Sequence, residues 1–266
     1  MSGLGRSDAF ARVSQDPVFC FTSDFDWASD YCLDEFVGFL AVYGIVPTVF
    51  ATHRSEALIR YAEAGLADVG LHPNFLEGSS HGDDEAAVID HVLSLYPQAE
   101  SWRSHCFVDS TRIARQMLAR GLRYDSNLCL YLQPDLVPLR HGTGTIRVPV
   151  FWEDDCHWDL ADGDWDLARV LDRFFTPGLK VFNVHPFMFA ANVTSTDHYL
   201  RAKSHITILD ASNVDAVAHQ GQGTRTFVTE LVDTLHAHGA RHTTLKEIYA
   251  MAVSEGEGAS GDRRVR

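Results

Sequence analysis

Short runs of β-branched and aromatic residues alternate with stretches of helical periodicity along most of this chain. That alternation confines the fold to a mainly parallel sheet with helices between its strands. Val18–Phe25, Ile45–Ala51, Ala67–His72, Ser101–Cys106, Leu122–Ser126, Ile146–Trp152 and Lys180–His185 read as seven strands. Residues 30–43 carry Leu33, Phe36, Val37, Leu40 and Ala41 on one helical stripe that Gly44 closes. Further helices are expected at 55–64, around Val88–Leu95 before Pro97, at 111–120, at 166–175 and at 225–238. Seven strands separated by helices make a parallel sheet, open or closed into a barrel.

No composition break divides the 266 residues, so 18–250 reads as a single domain behind a polar leader, 1–17. Residues 186–223 are polar and lack strong periodicity, which suggests a lid or substrate loop; a partly helical stretch near Leu200 is the plainer alternative. The Gly/Ser/Glu-rich terminus, 251–266, reads as a disordered tail. The formal net charge of −14 leaves no basic footprint for nucleic acid or an anionic membrane surface. No apolar run is long enough to span a membrane, and no signal peptide is evident. Five cysteines without a C-x-x-C pairing favour reduced thiols over a disulfide framework or a thiolate zinc site. These features together predict a cytoplasmic protein.

The polar residues gather at one end of the expected strands. Asp24 and Asp26 alternate at the end of the first, so their carboxylates share a face with Cα atoms roughly 6.5–7 Å apart. Two carboxylates that close hold a metal, a catalytic proton or both, unless one merely caps the next helix. Ser29 is available as that cap, which leaves both aspartates free. His53 follows the second strand, and His72 and Asn74 the third. Arg103 and His105 close the fourth, Asp125 and Asn127 the fifth, Glu153 and Asp154 the sixth, and His185 the seventh. In a parallel barrel these strand ends form one face, where active sites are built.

The order Asp24-x-Asp26, Gly70-Leu71-His72-Pro73-Asn74, Trp102-Arg103-Ser104-His105, Trp152-Glu153-Asp154-Asp155 and Asn183-Val184-His185-Pro186 resembles the NodB-homology polysaccharide deacetylases, and their WbmS-like branch most closely. The resemblance runs from about residue 18 to 188. It implies a distorted seven-stranded (β/α) barrel and metal-dependent hydrolysis of acetamido groups on sugars. By the same resemblance Asp24 matches the catalytic base, Asp26 a metal carboxylate, His72 a metal histidine, Arg103 the arginine orienting the base, and His185 the general acid.

The chemistry is coherent in its own terms. A divalent metal, zinc foremost, held by Asp26 and His72 could activate water and polarise an amide carbonyl. Asp24 could take the water's proton, and a protonated His185 could supply one to the departing nitrogen, while an uncharged His185 could instead bind substrate hydroxyls. The expected substrate is a small glycan precursor, because an enzyme without export cannot reach a cell-wall polymer.

Two positions depart from the family pattern. Leu76 stands where a second metal histidine is usual, which makes Asn74 the nearest substitute ligand, with His81 as an alternative. His105 replaces a customary proline and could be a ligand, a substrate contact or a packed histidine. Glu153 and Asp154 form either a solvated acidic loop or part of the site. His141–Thr145 reads as a turn rather than a phosphate loop. Two other functions fit the same residues: a C–N hydrolase acting on a non-sugar amide without metal, and a non-catalytic glycan-binding barrel.

Overall fold

The computed structural model describes residues 15–258. The polar leader, apart from its last residues, and residues 259–266 of the expected tail lie outside the described residues.

Strand β1 (Pro17–Phe25) lies inside the sheet, flanked by β2 (Thr48–Ala51) and β9 (Gly178–Asn183), both parallel to it. From β2 the sheet continues through β3 (Asp68–Leu71), β4 (Ser101–Trp102), β5 (Tyr124–Asp125) and β7 (Ile146–Arg147) to β6 (Leu139–Arg140). Beyond β9 lies β8 (Trp152–Glu153). All pairings are parallel except the β6–β7 hairpin. The residues 141–145 form its turn, with the His141 amide donating to the Thr145 carbonyl.

The sheet therefore has nine strands, not the seven expected: β6 is one addition, and the splitting of one expected strand into β7 and β8 is the other. The run expected as a single strand, Ile146–Trp152, pairs with β5 through its first half and with β9 through its second. Val148 N donates to Asp125 O and Phe151 N to Val181 O, each at 2.8 Å. In a flat sheet β7 and β8 would stand seven spacings apart, about 34 Å at about 4.8 Å each. The chain between Arg147 and Trp152 can reach at most about 18 Å. The sheet must curl, and the result is a half-barrel whose strand ends converge.

Helices α1 (Asp30–Val42), α2 (Glu56–Glu63), α3 (Glu85–Leu95) and α4 (Thr111–Ala119) follow the first four strands as expected. Ser29 occupies the cap position of α1, but its hydroxyl donates to Leu209 O at 2.6 Å instead of capping the helix. Helix α5 (Asp154–Leu160) begins directly at the end of β8. The helix expected at 166–175 is a 3₁₀ turn, Leu167–Arg169, followed by the short α6 (Leu171–Phe174).

The segment 186–223 is partly helical: α7 (Pro186–Ala190) is wholly buried, and α8 (Thr196–Ala202) covers the stretch around Leu200. Helix α9 (Thr224–Ala237) matches expectation. Helix α10 (Leu245–Gly258) takes up residues 251–258 of the expected tail. Thr244 and Glu247 cap it reciprocally, and Leu245, Ile248 and Ala252 bury one face. Among the described residues no helix is long and apolar enough to cross a membrane.

Candidate active site

Thr22, Asp24 and Asp26 take alternate positions along and just beyond β1, which aims all three into the curl. Asp24 is 4% exposed, and its Oδ1 accepts from Arg103 Nη1 at 2.8 Å. Arg103, one residue past β4, is fully buried. Every guanidinium N–H has an acceptor: Nη1 also donates to Asn183 Oδ1 (2.6 Å), Nη2 to Thr22 Oγ1 (3.0 Å) and Ser126 Oγ (2.6 Å), and Nε to Ser126 O (2.9 Å). The guanidinium also lies 4.5 Å from the Phe50 ring centroid. Gly70 lets that ring sit there, because a Cβ at this position would meet Phe50 Cδ1 at 2.4 Å. Burial works to raise the Asp24 carboxyl, but the Arg103 charge, aided by His72 and His185, outweighs it. Asp24 is thus ionised, held below its ordinary value.

Asp26 faces two imidazoles. His72 follows β3, and its Nδ1 must donate to the Arg103 carbonyl, 2.6 Å away, since a carbonyl can only accept. Its Nε2 is turned to Asp26 Oδ1 at 3.0 Å and lies 3.9 Å from Asp24 Oδ2. His105 Nδ1 reaches the same Asp26 oxygen at 3.1 Å. Trp27 walls His105 edge-on at 5.4 Å between ring centroids, from a backbone with φ 49° that a bulky side chain seldom adopts. Burial works to raise the Asp26 carboxyl as well, but His72 and His105 hold it below its ordinary value. Burial opposes charge on His105, yet its bond to Asp26 lifts its pKa to about 10.

His185, just beyond β9, is gripped from two sides by Asp154: Nδ1 donates to Oδ1 at 2.7 Å and the backbone N–H to Oδ2 at 2.9 Å. Its Nε2 is 3.7 Å from Asp26 Oδ2. Desolvation disfavours the imidazolium, but the Asp154 charge outweighs it, so His185 keeps its proton well above the ordinary value. The neighbouring Glu153 is 2% exposed and accepts from Asn183 Nδ2 at 2.7 Å. Burial, with Asp155 adding repulsion, raises its carboxyl well above the ordinary value.

Asp24, Asp26, His72, Arg103, His105, Glu153, Asp154 and His185 thus converge on one site. The solvated acidic loop weighed for Glu153 and Asp154 is not what forms, because Asp154 is fully buried and Glu153 nearly so. Asn74 is used differently: its Oδ1 accepts from Leu76 N at 3.0 Å, a local turn. His81 packs against Trp27 at 5.6 Å, and its Nδ1 accepts from Asn74 N at 3.1 Å.

Other strand-end residues support the scaffold. Asp125 binds Arg147 through Nε (2.7 Å) and Nη2 (3.1 Å), Asn127 accepts from Ser104 N at 2.9 Å, and His53 lies against Phe25. Thr22, Ser126 and Asn183 were missed as site residues. Thr22 and Asn183 each stand two residues before a recognised site residue, so the strand period alone could have flagged them. Beside Asp24, Asp26 and His185 a small apolar recess is walled by Phe187, Met188, Tyr199 and Ile206, all from the 186–223 segment.

The Asp26, His72 and His105 donor atoms lie within 4.8 Å of one another. One hard carboxylate and two imidazoles suit a borderline divalent ion. With Nδ1 spent on a carbonyl, a neutral His72 presents a lone pair to a carboxylate, and only a proton or a cation between them relieves that contact.

A family model described as WbmS-like polysaccharide deacetylase matches residues 21–203. A solved structure from Bordetella bronchiseptica, described as a polysaccharide deacetylase involved in O-antigen biosynthesis, is 31% identical with a TM-score of 0.73, over 81% of this chain and 90% of that one. A described polysaccharide deacetylase of Mycobacterium smegmatis is looser, at 16% identity, TM-score 0.48 and coverage of 87% and 94%. The peptidoglycan deacetylase PdaC of Bacillus subtilis is similar at 13% identity, TM-score 0.47 and coverage of 93% and 96%. No curated protein matches the chain. With the motifs in order, the strand ends converged and the match spanning most of the domain, the chain belongs to the WbmS-like polysaccharide deacetylases, hydrolases of the amide C–N bond in N-acyl groups.

Proposed function

We propose that this chain removes an acetyl or related acyl group from an acetamido sugar of a glycan precursor, in a metal-dependent hydrolysis. The observation that carries this reading is the flanking of one ionised carboxylate, Asp24, by a five-acceptor arginine and a carboxylate–imidazole donor group. A divalent ion, zinc in this reading, would be held by Asp26, His72 and His105 and would polarise the acyl carbonyl and acidify the attacking water.

The chain's own groups supply the rest. Asp24 takes the proton that the water loses, and Arg103 keeps it ionised and oriented. The C–N bond breaks as His185 passes its Nε2 proton to the leaving nitrogen, and Asp154 holds the imidazole in the donating form. Water and amide are thus converted to a carboxylic acid and an amine, and the proton left on Asp24 is returned to His185 by exchange with solvent. The recess walled by Phe187, Met188, Tyr199 and Ile206 takes the acyl methyl. The O-antigen role described for the Bordetella protein points to a nucleotide- or lipid-linked sugar as the precursor. The five free thiols agree with a reducing, cytoplasmic setting.

The test is acetate release from a panel of acetamido sugars and their precursors, with and without exhaustive chelation. Activity lost on chelation and restored by zinc, cobalt or manganese is expected. Undiminished activity after chelation would favour a metal-free C–N hydrolase. Saturable binding without turnover across the panel would favour a glycan-binding barrel.

A further inference from the structure

Two cysteines that share no sequence motif meet beside the site. Cys129 lies in the stretch after β5, bridged to Val150 of the closing segment, and Cys156 lies in the first turn of α5. Their Sγ atoms are 3.9 Å apart, and Cys156 Sγ is 3.3 Å from Glu153 Oε2. While Oε1 of Glu153 accepts from Asn183, the Cys156 thiol is the partner of Oε2 among the described residues. A carboxyl group only 2% exposed thus meets the Cys156 sulfur, with the Cys129 sulfur within 4.8 Å.

We propose that Cys129, Cys156 and Glu153 form a second metal site, for a thiophilic divalent ion such as zinc. The distances support this. Zinc bonds of about 2.3 Å to sulfur and about 2.0–2.2 Å to oxygen, at tetrahedral angles, require S–S and S–O edges of about 3.8 and 3.5 Å. The observed 3.9 and 3.3 Å match, and all three donors fall within 4.8 Å of one another. Thiolate ligands select zinc over magnesium or calcium. Both cysteines are only partly buried, which leaves an entry path. On binding, the two S–H protons leave to solvent and Oε2 exchanges its thiol donor for the cation. A three-donor set takes its fourth ligand from solvent.

Such an ion acts at a distance from the substrate. Glu153 Oε1 holds Asn183, Asn183 Oδ1 holds Arg103 Nη1, and Arg103 Nη1 holds Asp24, over 2.7, 2.6 and 2.8 Å. Fixing Glu153 therefore fixes the orientation of the base. This inference does not rest on the deacetylase reading, because it uses none of Asp26, His72 and His105.

Cobalt(II) titration of the fully reduced full-length chain, followed by absorption, tests it. The expected result is a thiolate-to-cobalt charge-transfer band in the near ultraviolet. The band is lost in Cys129→Ser and in Cys156→Ser, and kept in Cys106→Ser and in His72→Ala. The wild-type titration decides even where a variant folds poorly: no such band at excess cobalt, with the thiols shown free by a thiol reagent, overturns the proposal. A band surviving both serine substitutions, or vanishing in His72→Ala, overturns it as well.

Discussion

Arg103 and Asp24 are joined across 79 residues of sequence by a 2.8 Å hydrogen bond between two buried charges. The guanidinium meets Asp24 as one of five acceptors, so its position is set by β1, β9 and the residues after β5 together.

Lysine keeps the charge of Arg103 but not its fork. Arg103→Lys leaves at least two of the five acceptors without a donor in a buried site. Urea denaturation is expected to register a loss of about 2–6 kcal/mol, at about 1–3 for each acceptor left unpaired, and turnover to fall by about 10²–10⁴. Wild-type turnover in a folded lysine variant would remove Arg103 from the mechanism.

Metal content separates the two candidates for the third ligand. His105→Ala should lose the ion bound by Asp26 and His72, whereas Asn74→Ala should keep it, because the Asn74 oxygen serves Leu76 N. Measured by elemental analysis on reduced protein carrying Cys129→Ser, the opposite pattern would restore Asn74 as the ligand.

The pH profile reports on His185. Its proton affinity is raised by Asp154 against the cost of burial. Removing that charge in Asp154→Asn lowers the affinity, so the protonated acid is lost at lower pH and the alkaline limb of kcat moves to lower pH. A limb that stays in place would mean that another group donates the proton.

Stability toward acid has a source away from the site. Burial, with the His236 charge adding, lowers the pKa of His242 from 6.5 to about 4. Its ring packs at 6.1 Å from Phe19 and 5.7 Å from Phe21, and Nδ1 has no partner among the described residues. The folded value lies below the unfolded one, so the unfolded chain takes up the proton first as pH falls. Stability present above pH 6.5 is lost progressively toward pH 4, on the order of 2 kcal/mol from this residue. His242→Phe should flatten that part of the curve in denaturation series at stepped pH; an unchanged slope would place the loss elsewhere, with His81 next.

Gly70 is tested by a single methyl. Gly70→Ala puts a Cβ 2.4 Å from the Phe50 ring and 2.9 Å from Ser101 Oγ. Overpacking of about 1–3 kcal/mol is expected, with a fall in kcat as the ring shifts under Arg103. Unaltered stability would show that the ring yields freely.

The parallel α/β plan, the order of the motifs and the paired aspartates are legible in the residues alone, because hydrophobic period and strand alternation are local properties. The α10 cap, Thr244 with Glu247, is a local pattern of the same kind. The rest follows from curling the sheet. Ile146–Trp152 reads as one extended run in sequence, yet its first half pairs with β5 and its second with β9, on opposite sides of β1 in the sheet. That closure brings Glu153 and Asp154 beside Asn183 and His185, buries a run of acids that composition assigns to solvent, and sets Cys129 against Cys156. It likewise carries His105 to Asp26, 79 residues earlier, while Asn74, nearer His72 in sequence, is turned back on its own loop. Ligand sets depend on distances between strand ends, and no local period encodes those distances.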